Sequence, residues 1–332
     1  MTKTRRKIAP IDMKRVSTYP LRRRSSKVAA AAIGAAPRAG MSVASFLEGL
    51  PDILAAADLR AIAATIADRH TRGRLIALGM GAHPIKVGLS PLIIDLMKRG
   101  IISAIAMNGA CIVHDFELAF HGATSEDVGA SLDDGQFGMA HETGEFLNSA
   151  IARHDNLGLG HAAGQAILAA RLPHTELSIL AAGATLGIPV TVHVAIGTDI
   201  IHMHPSADGA AIGAASLYDF HLLAGVAREL HRGVFINLGS AVIIPEVFLK
   251  ALNLARNVGN RVDQLVTIDM DFMRHYRPGV NIVQRPTQTG GRGYRLTGHH
   301  EIMFPLLCAA VLEQLRAPAH KPKRKVTRRR SR

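Results

Sequence analysis

The sequence predicts an α/β fold, a doubly wound and mostly parallel sheet with helices on both faces. Three observations carry that reading. Apolar runs of strand length recur with helical patterns between them. The first runs are continuously apolar, as strands buried on both faces are. Four runs stop at a Gly-containing or Asn-Gly turn. In a parallel sheet all such turns gather at the carboxyl edge, where ligands of open sheets bind.

The elements follow in order. Short helices are expected from Ser42 to about His70, with Ser42 as an N-cap and Leu59, Ile62 and Ile66 at helical spacing. The run from Leu75 to Leu78 is a strand ending at Gly79-Met80-Gly81. Ser90 and Pro91 open a helix, as cap and first turn, that Gly100 closes. Ile101 to Met107 is a second strand, stopping at Asn108-Gly109, and a helix starts near Ile112. The polar, Gly-broken segment after Gly122 reads as a surface loop. Helices are expected over 141–151, 162–170 and 175–186, the last closed by Gly187. IPVTVHVAIG, 188–197, is the next strand and 216–233 the next helix, capped by Gly233. VFINLG, 234–239, is a strand stopping at Gly239-Ser240, 245–259 its helix and 263–270 another strand. The stretch 274–298 shows no clear helix, and a closing helix spans about 299–315.

The charge is divided unevenly. The net +13 resides at the ends: residues 1–28 carry ten Lys/Arg and one Asp, and 316–332 carry nine Lys/Arg and no acid. The remaining body is mildly acidic. Residues 1–41 therefore read as a basic, low-complexity arm, 42–315 as one α/β domain and 316–332 as a basic tail. Such arms suit weak contacts with nucleic acid, although the absence of Trp and an aromatic content of 4% disfavour stacking on bases. Cys111 and Cys308 lie in apolar surroundings and read as buried thiols. No apolar stretch reads as a membrane span and MTKTRRK leads into no signal-like apolar segment, so a cytoplasmic protein without membrane contact is expected.

Seventeen histidines are the unusual feature, many of them near strand ends. His83, His202, His204 and His299 raise a metal-dependent hydrolase as one alternative, although neither HExxH nor a Cys pair is present, and no metal is assigned. A non-catalytic nucleotide-binding protein is the other. Asp115 and Asp199 are placed to hold a cationic amine or a ribose, or to sit in the first turn of a helix. There is no GxSxG and no Walker A sequence.

Several segments together resemble deoxyhypusine synthases over about residues 70–315. GMGAHPIKVGLSP and NGACIVHDFE are similar to that family's first two cofactor loops. GIPVTVHVAIGTDIIHMH, INLGSAVIIPE and GHHEIMFPLL are similar to later segments, in the same order. The resemblance implies a Rossmann-like NAD-binding fold, a homotetramer, and transfer of an aminobutyl group from spermidine to a protein lysine through an imine. It implies that Gly79, Gly81, Asn108, Gly109, Gly239 and Ser240 face NAD; His83, Ala110, and His299 and His300, which replace the family's Asp-Ala, are further candidates for the same cofactor site. It also sets Asp199 where a carboxylate meets the amine, with His114 and Asp115 beside the second loop. The sequence departs from the family at its imine lysine, where Pro286 stands, with Gln284 and Val280 at the accompanying Trp and acidic positions. Pro245-Glu246 and Val113-His114 replace further polar pairs. Only Lys86, Lys98 and Lys250 lie between residues 28 and 320. Lys86, in the first Gly loop, is the expected replacement for the missing lysine.

Overall fold

The computed structural model describes residues 8–153 and 157–316. Most of the basic tail, and the first residues of the arm, lie outside that range. From residue 8 to residue 31 the arm is exposed throughout; Ala32 and Ala35 then bond to Asp52 and Gly49 and tie the chain to the body.

Six parallel strands form one sheet, in the order β3-β2-β1-β4-β5-β6. They are β1 (Ile76–Met80), β2 (Ala104–Asn108), β3 (Val190–His193), β4 (Val234–Leu238), β5 (Val266–Asp271) and β6 (Arg292–Thr297). The chain winds outward from β1 to β3, then crosses back to lay β4 on the other side of β1. The strand order thus reverses between β1 and β4, the place where open sheets of this order form a crevice.

The helices before the sheet are α1 (Val43–Gly49) and α2 (Leu54–Thr71). Between β1 and β3 come α3 (His83–Lys86), α4 (Ser90–Lys98), α5 (Gly109–His121), α6 (Val128–Ser131), α7 (His141–Arg153), α8 (Leu159–Ala170) and α9 (Ile179–Leu186). α10 (Gly209–Arg228), α11 (Ile243–Asn257), α12 (Tyr276–Pro278) and α13 (His300–Arg316) complete the set.

Side-chain size sorts the two faces. Ile76, Leu78, Met80, Ile105 and Met107 point into the larger core layer with α2, α4, α5, α9 and α13. Ala77, Ala104 and Ala106 face α10 and α11 on the other side, and these small residues let α11 come close enough for Phe248 to stack on Phe235 at 3.7 Å.

Several expectations are corrected. The stretch 274–298 is not irregular: it contains α12, a π-turn over Gly279–Gln284 and strand β6. β6 is an edge strand in which only Tyr294 and Leu296 are buried, so its alternating pattern is short and interrupted by Arg and Gly. Ser90 is the first residue of α4, its Oγ buried without a partner, and Leu89 holds the cap position. Helix α5 starts at Gly109 rather than near Ile112, and α10 ends at Arg228, short of Gly233. α10 is also longer than expected. At twenty residues with a mean hydropathy of 1.3 it has the length and apolarity of a membrane span, which the sequence reading did not anticipate.

In this fold α10 packs along β3 and α11. Asp219 joins it to the edge strand: its carboxylate accepts the Val192 N–H at 2.8 Å and the Gly160 N–H at 3.1 Å. An edge strand has outward N–H groups to satisfy, and a buried carboxyl does so here. Burial pushes the Asp219 pKa up to about 7. Its folded-state value lies above its unfolded one, so its contribution is full at low pH and lost as pH rises to about 7. Wild type is therefore expected to gain about 2–3 kcal/mol on Asp219→Asn between pH 7.5 and pH 5, read by denaturant unfolding. A pH-independent difference would contradict this.

Candidate functional site

The candidate site lies on the carboxyl edge of the sheet. Gly81 and Gly239 leave β1 and β4 side by side, on either side of the crossover. A Cβ on Gly81 would come within 2.4 Å of the Gly239 carbonyl oxygen, so the two loops approach as only glycine permits. Gly239 has φ +67°, and a Cβ there would meet the His300 ring at 2.6 Å. The Gly81 N–H donates to Leu238 and the Gly239 N–H to Met270, extending the sheet by one residue. Those two amides are therefore spent within the sheet, and the glycines let the two loops and the His300 ring approach closely. Gly79 lies inside β1, where a Cβ would strike Ile244 and Phe235; its absent side chain serves the packing of α11. Ser240 is buried, its Oγ accepting the Ile244 N–H and its carbonyl accepting Asn237 Nδ2. Asn108 accepts the Cys111 thiol at 3.0 Å, and no side chain caps α5. Both cysteines are free and buried.

Beside the α5 N-terminus lies a cavity of about 200 Å³. Lys86, Ala110, His114 and Asp199 line it together, with Glu117, Glu126 and Thr198. Each comes from a different part of the chain: Lys86 from α3, His114 and Glu117 from α5, Asp199 from the loop after β3. Asp199 is 7% exposed, and its Oδ2 is buried with no partner. The carboxyl presses on Gly109, where a Cβ would lie 2.0 Å from Oδ2, so α5 must begin with glycine to admit it. Burial raises the Asp199 pKa to about 6.

His114 is held by a hydrogen-bonded chain. Thr124 Oγ1 donates to Glu117 Oε2 at 2.5 Å and stands 2.7 Å from His114 Nδ1. A hydroxyl has one proton, and an ionised carboxylate only accepts. The His114 Nδ1–H therefore donates to Thr124, and Nε2 is left as a bare acceptor. Burial, together with the charge of Lys86, lowers the His114 pKa to about 4, so the ring is neutral at physiological pH. Glu117 also accepts the Thr143 hydroxyl at 3.2 Å. A second cavity of about 510 Å³ adjoins the first through Glu117, Ser125 and Glu126 and adds Glu142.

Glu117, Thr124 and Glu126 are site residues that sequence reasoning missed. The last two lie in the polar segment after Gly122, read as a surface loop, which in the fold returns over the carboxyl edge. The cluster of Thr, Ser, Glu and Asp in that segment was the available signal.

Other expected site residues are elsewhere. Asp115 is fully buried away from the cavity and accepts from the Ser178 hydroxyl and the Ile179 and Leu180 N–H groups, capping α9. It is a structural cap rather than a catalytic acid, and burial raises its pKa to about 6 despite those bonds. His83 and His300 pair with each other, with Nδ1 atoms 2.8 Å apart, while His299 is exposed and lies 6.3 Å from the Phe272 ring. His204 donates Nε2–H to Gly138 O, and His202 Nδ1 accepts the Gly197 and Asp199 N–H groups. The histidines of the hydrolase alternative are thus turned to separate partners. Among the described residues no three His, Cys, Asp or Glu side chains come together to hold an ion. Val280 and Gln284 lie in the π-turn and Pro286 is buried, so no amine occupies the window where the family carries its lysine. Lys250 pairs with Glu246 on α11.

No family profile and no curated protein matches the sequence. Solved structures do. A protein assigned as LOR/SDH from Methanococcus maripaludis S2 superposes with a TM-score of 0.51 at 16% identity, over 79% of this chain and 71% of that one. AgrE, solved in a ternary complex with ornithine and NAD+, gives 0.52 at 14% identity over 78% of this chain; the match spans only 32% of AgrE. A protein assigned as deoxyhypusine synthase from Entamoeba histolytica gives 0.47 at 11% identity, over 82% of this chain and 94% of that one. At these identities the first two similarities establish a shared α/β fold.

Proposed function

We propose that this protein is a deoxyhypusine synthase-like enzyme that holds NAD across the β1–β4 crossover and acts on a small amine. One observation carries the reading: Asp199, whose Oδ2 is buried without a partner, and the neutral His114 imidazole line one cavity at the carboxyl edge. An unpaired buried carboxylate is costly, and an ammonium group supplies both the charge and the N–H donors it lacks. The acidic lining that continues into the adjoining cavity suits a ligand with more than one amino group.

The amine cavity, at about 200 Å³, is too small for a dinucleotide. The dinucleotide is assigned instead to the β1–β4 crossover, where open sheets of this strand order form their crevice. Bound there, NAD supplies a hydride acceptor. The chain's own residues do the rest. Asp199 orients the ligand's ammonium group, His114 Nε2 accepts a hydrogen bond from it, and Lys86 at the cavity rim is the chain's own amine beside the ligand. AgrE, which shares the fold and binds ornithine and NAD+, supports the pairing of an amine with this cofactor.

The cofactor assignment is tested by thermal unfolding. NAD at a hundred times its dissociation constant is expected to add about 2.7 kcal/mol and raise the Tm by about 4–5 °C. No shift with either NAD or NADH at millimolar concentration would remove the cofactor from the reading.

A further inference from the structure

A second proton-handling cluster stands on the same edge, apart from the amine cavity. His83 opens α3 directly after β1, and His300 opens α13 directly after β6. Their Nδ1 atoms are 2.8 Å apart, so one ring donates to the other. His300 is 1% exposed, and its Nε2 is buried without a hydrogen-bond partner, 3.9 Å from Asp271 Oδ1 at the end of β5. The direction of the bond follows from that carboxylate. If His300 donated from Nδ1, its Nε2 lone pair would face a carboxylate oxygen in a buried setting. The favourable arrangement has His83 Nδ1–H donating to His300 Nδ1, with the His300 Nε2–H turned toward Asp271. His83, only half-buried, then keeps a bare Nε2 at the outer end. Gly239 is part of the construction, since any side chain there would displace His300. Phe272 packs against both rings, at 5.4 and 5.6 Å, and shields the inner bond from water.

We propose that His83, His300 and Asp271 form a proton relay. It takes a proton from a hydroxyl or ammonium group of a small molecule bound beside the β1–β4 crossover. The O–H or N–H bond of the ligand breaks, its electron pair stays on the oxygen or nitrogen, and an N–H bond forms at His83 Nε2. His83 passes its Nδ1 proton to His300 Nδ1, and the positive charge comes to rest on His300 beside the Asp271 carboxylate. Four other titratable groups border the relay, Asp269 on β5 among them, its pKa raised by burial and by the nearby Asp271 carboxyl. His275 lies 4.0 Å from the other Asp271 oxygen, His299 adjoins Phe272, and Glu301 follows His300 on α13. Burial lowers the His300 pKa, and the Asp271 carboxyl opposes that shift. The relay rests on the proposed function only for placing a ligand at this edge.

The test is nitrogen-detected NMR of the histidine rings in the full-length protein, assigned with His83→Gln and His300→Gln. Above pH 8, His83 is expected as the Nδ1–H tautomer and His300 as the Nε2–H tautomer. The pair is expected to take up one proton as a unit. Asp271→Asn, which keeps the bond from the Met273 N–H, is expected to weaken that uptake about tenfold, a shift of one pH unit downward. Independent titration of the two rings, the opposite tautomers, or an unmoved midpoint in Asp271→Asn would each overturn the relay. If His300→Gln fails to fold, the wild type and Asp271→Asn still decide the matter. A wild-type protein with the coupled titration but no thermal shift from NAD would keep the relay and reject the cofactor; the converse result would do the reverse.

Discussion

Asp115→Ala is expected to destabilise the protein by about 3 kcal/mol, because it strands three buried donors at once. The Ile179 and Leu180 N–H groups open α9, and both aim at this carboxyl, at 2.7 and 3.3 Å. The Ser178 hydroxyl donates to it while also accepting the Ala181 N–H, so side-chain cap and carboxyl form one network. Truncation leaves these groups in a dry site. The loss corresponds to a fall of about 5 °C in Tm for a domain of this size. Asp115→Asn should cost less, about 1–2 kcal/mol: its one oxygen can keep the Ile179 N–H and no charge is buried, but its Nδ2 then faces the Leu180 N–H. Amine and NAD binding are expected to be intact in the asparagine variant. A large loss of binding with full stability would return Asp115 to the active site.

Asp115 and Asp199 show where the sequence was legible. Both follow glycine-bearing turns, and either fits a helix N-terminus or a ligand. What separates them is partner supply. Asp115 meets the first turn of α9, sixty residues on in the chain, an encounter no local pattern announces. Asp199 meets a glycine, and one of its oxygens has nothing to bind.

The sheet was readable because β1, β2 and β4 are buried on both faces and therefore continuously apolar. β6, half-exposed at an edge, carries Arg292 over Tyr294 at 4.5 Å and escaped notice for that reason. Lys86, His114, Ala110 and Asp199 were singled out from three separate segments, and the fold brings them to one cavity. The glycines were legible as turns but not as to purpose: Gly79 serves packing, and Gly81 and Gly239 serve close approach of two strands. Glu117 was out of reach and Thr124 was legible only as part of a polar cluster, because the hydrogen-bonded chain that fixes the His114 tautomer depends on how a polar loop folds back.

Asp199→Asn is expected to weaken binding of 1,4-diaminobutane or spermidine about 30- to 100-fold, the loss of roughly 2–3 kcal/mol for a charge-assisted bond in a buried site. The substitution keeps the shape that Gly109 accommodates. It also removes the charge of a buried carboxyl whose Oδ2 has no partner, while the amide oxygen can keep the cap on the His202 N–H, so the ligand-free protein should hold its Tm or gain slightly. The pH dependence carries a second signature. Burial raises the Asp199 pKa to about 6, so in the ligand-free protein this group favours folding most at low pH, and that contribution is lost as pH rises through about 6. Amine binding runs the opposite way, because it needs the ionised carboxylate. Wild-type affinity should therefore fall as pH drops below about 6, approaching tenfold per pH unit, while Asp199→Asn should be flat in that window. Calorimetric titration of both proteins from pH 5 to pH 8 measures the two effects together. An unchanged affinity in Asp199→Asn, or a parallel pH slope in both proteins, would place the amine elsewhere on the carboxyl edge.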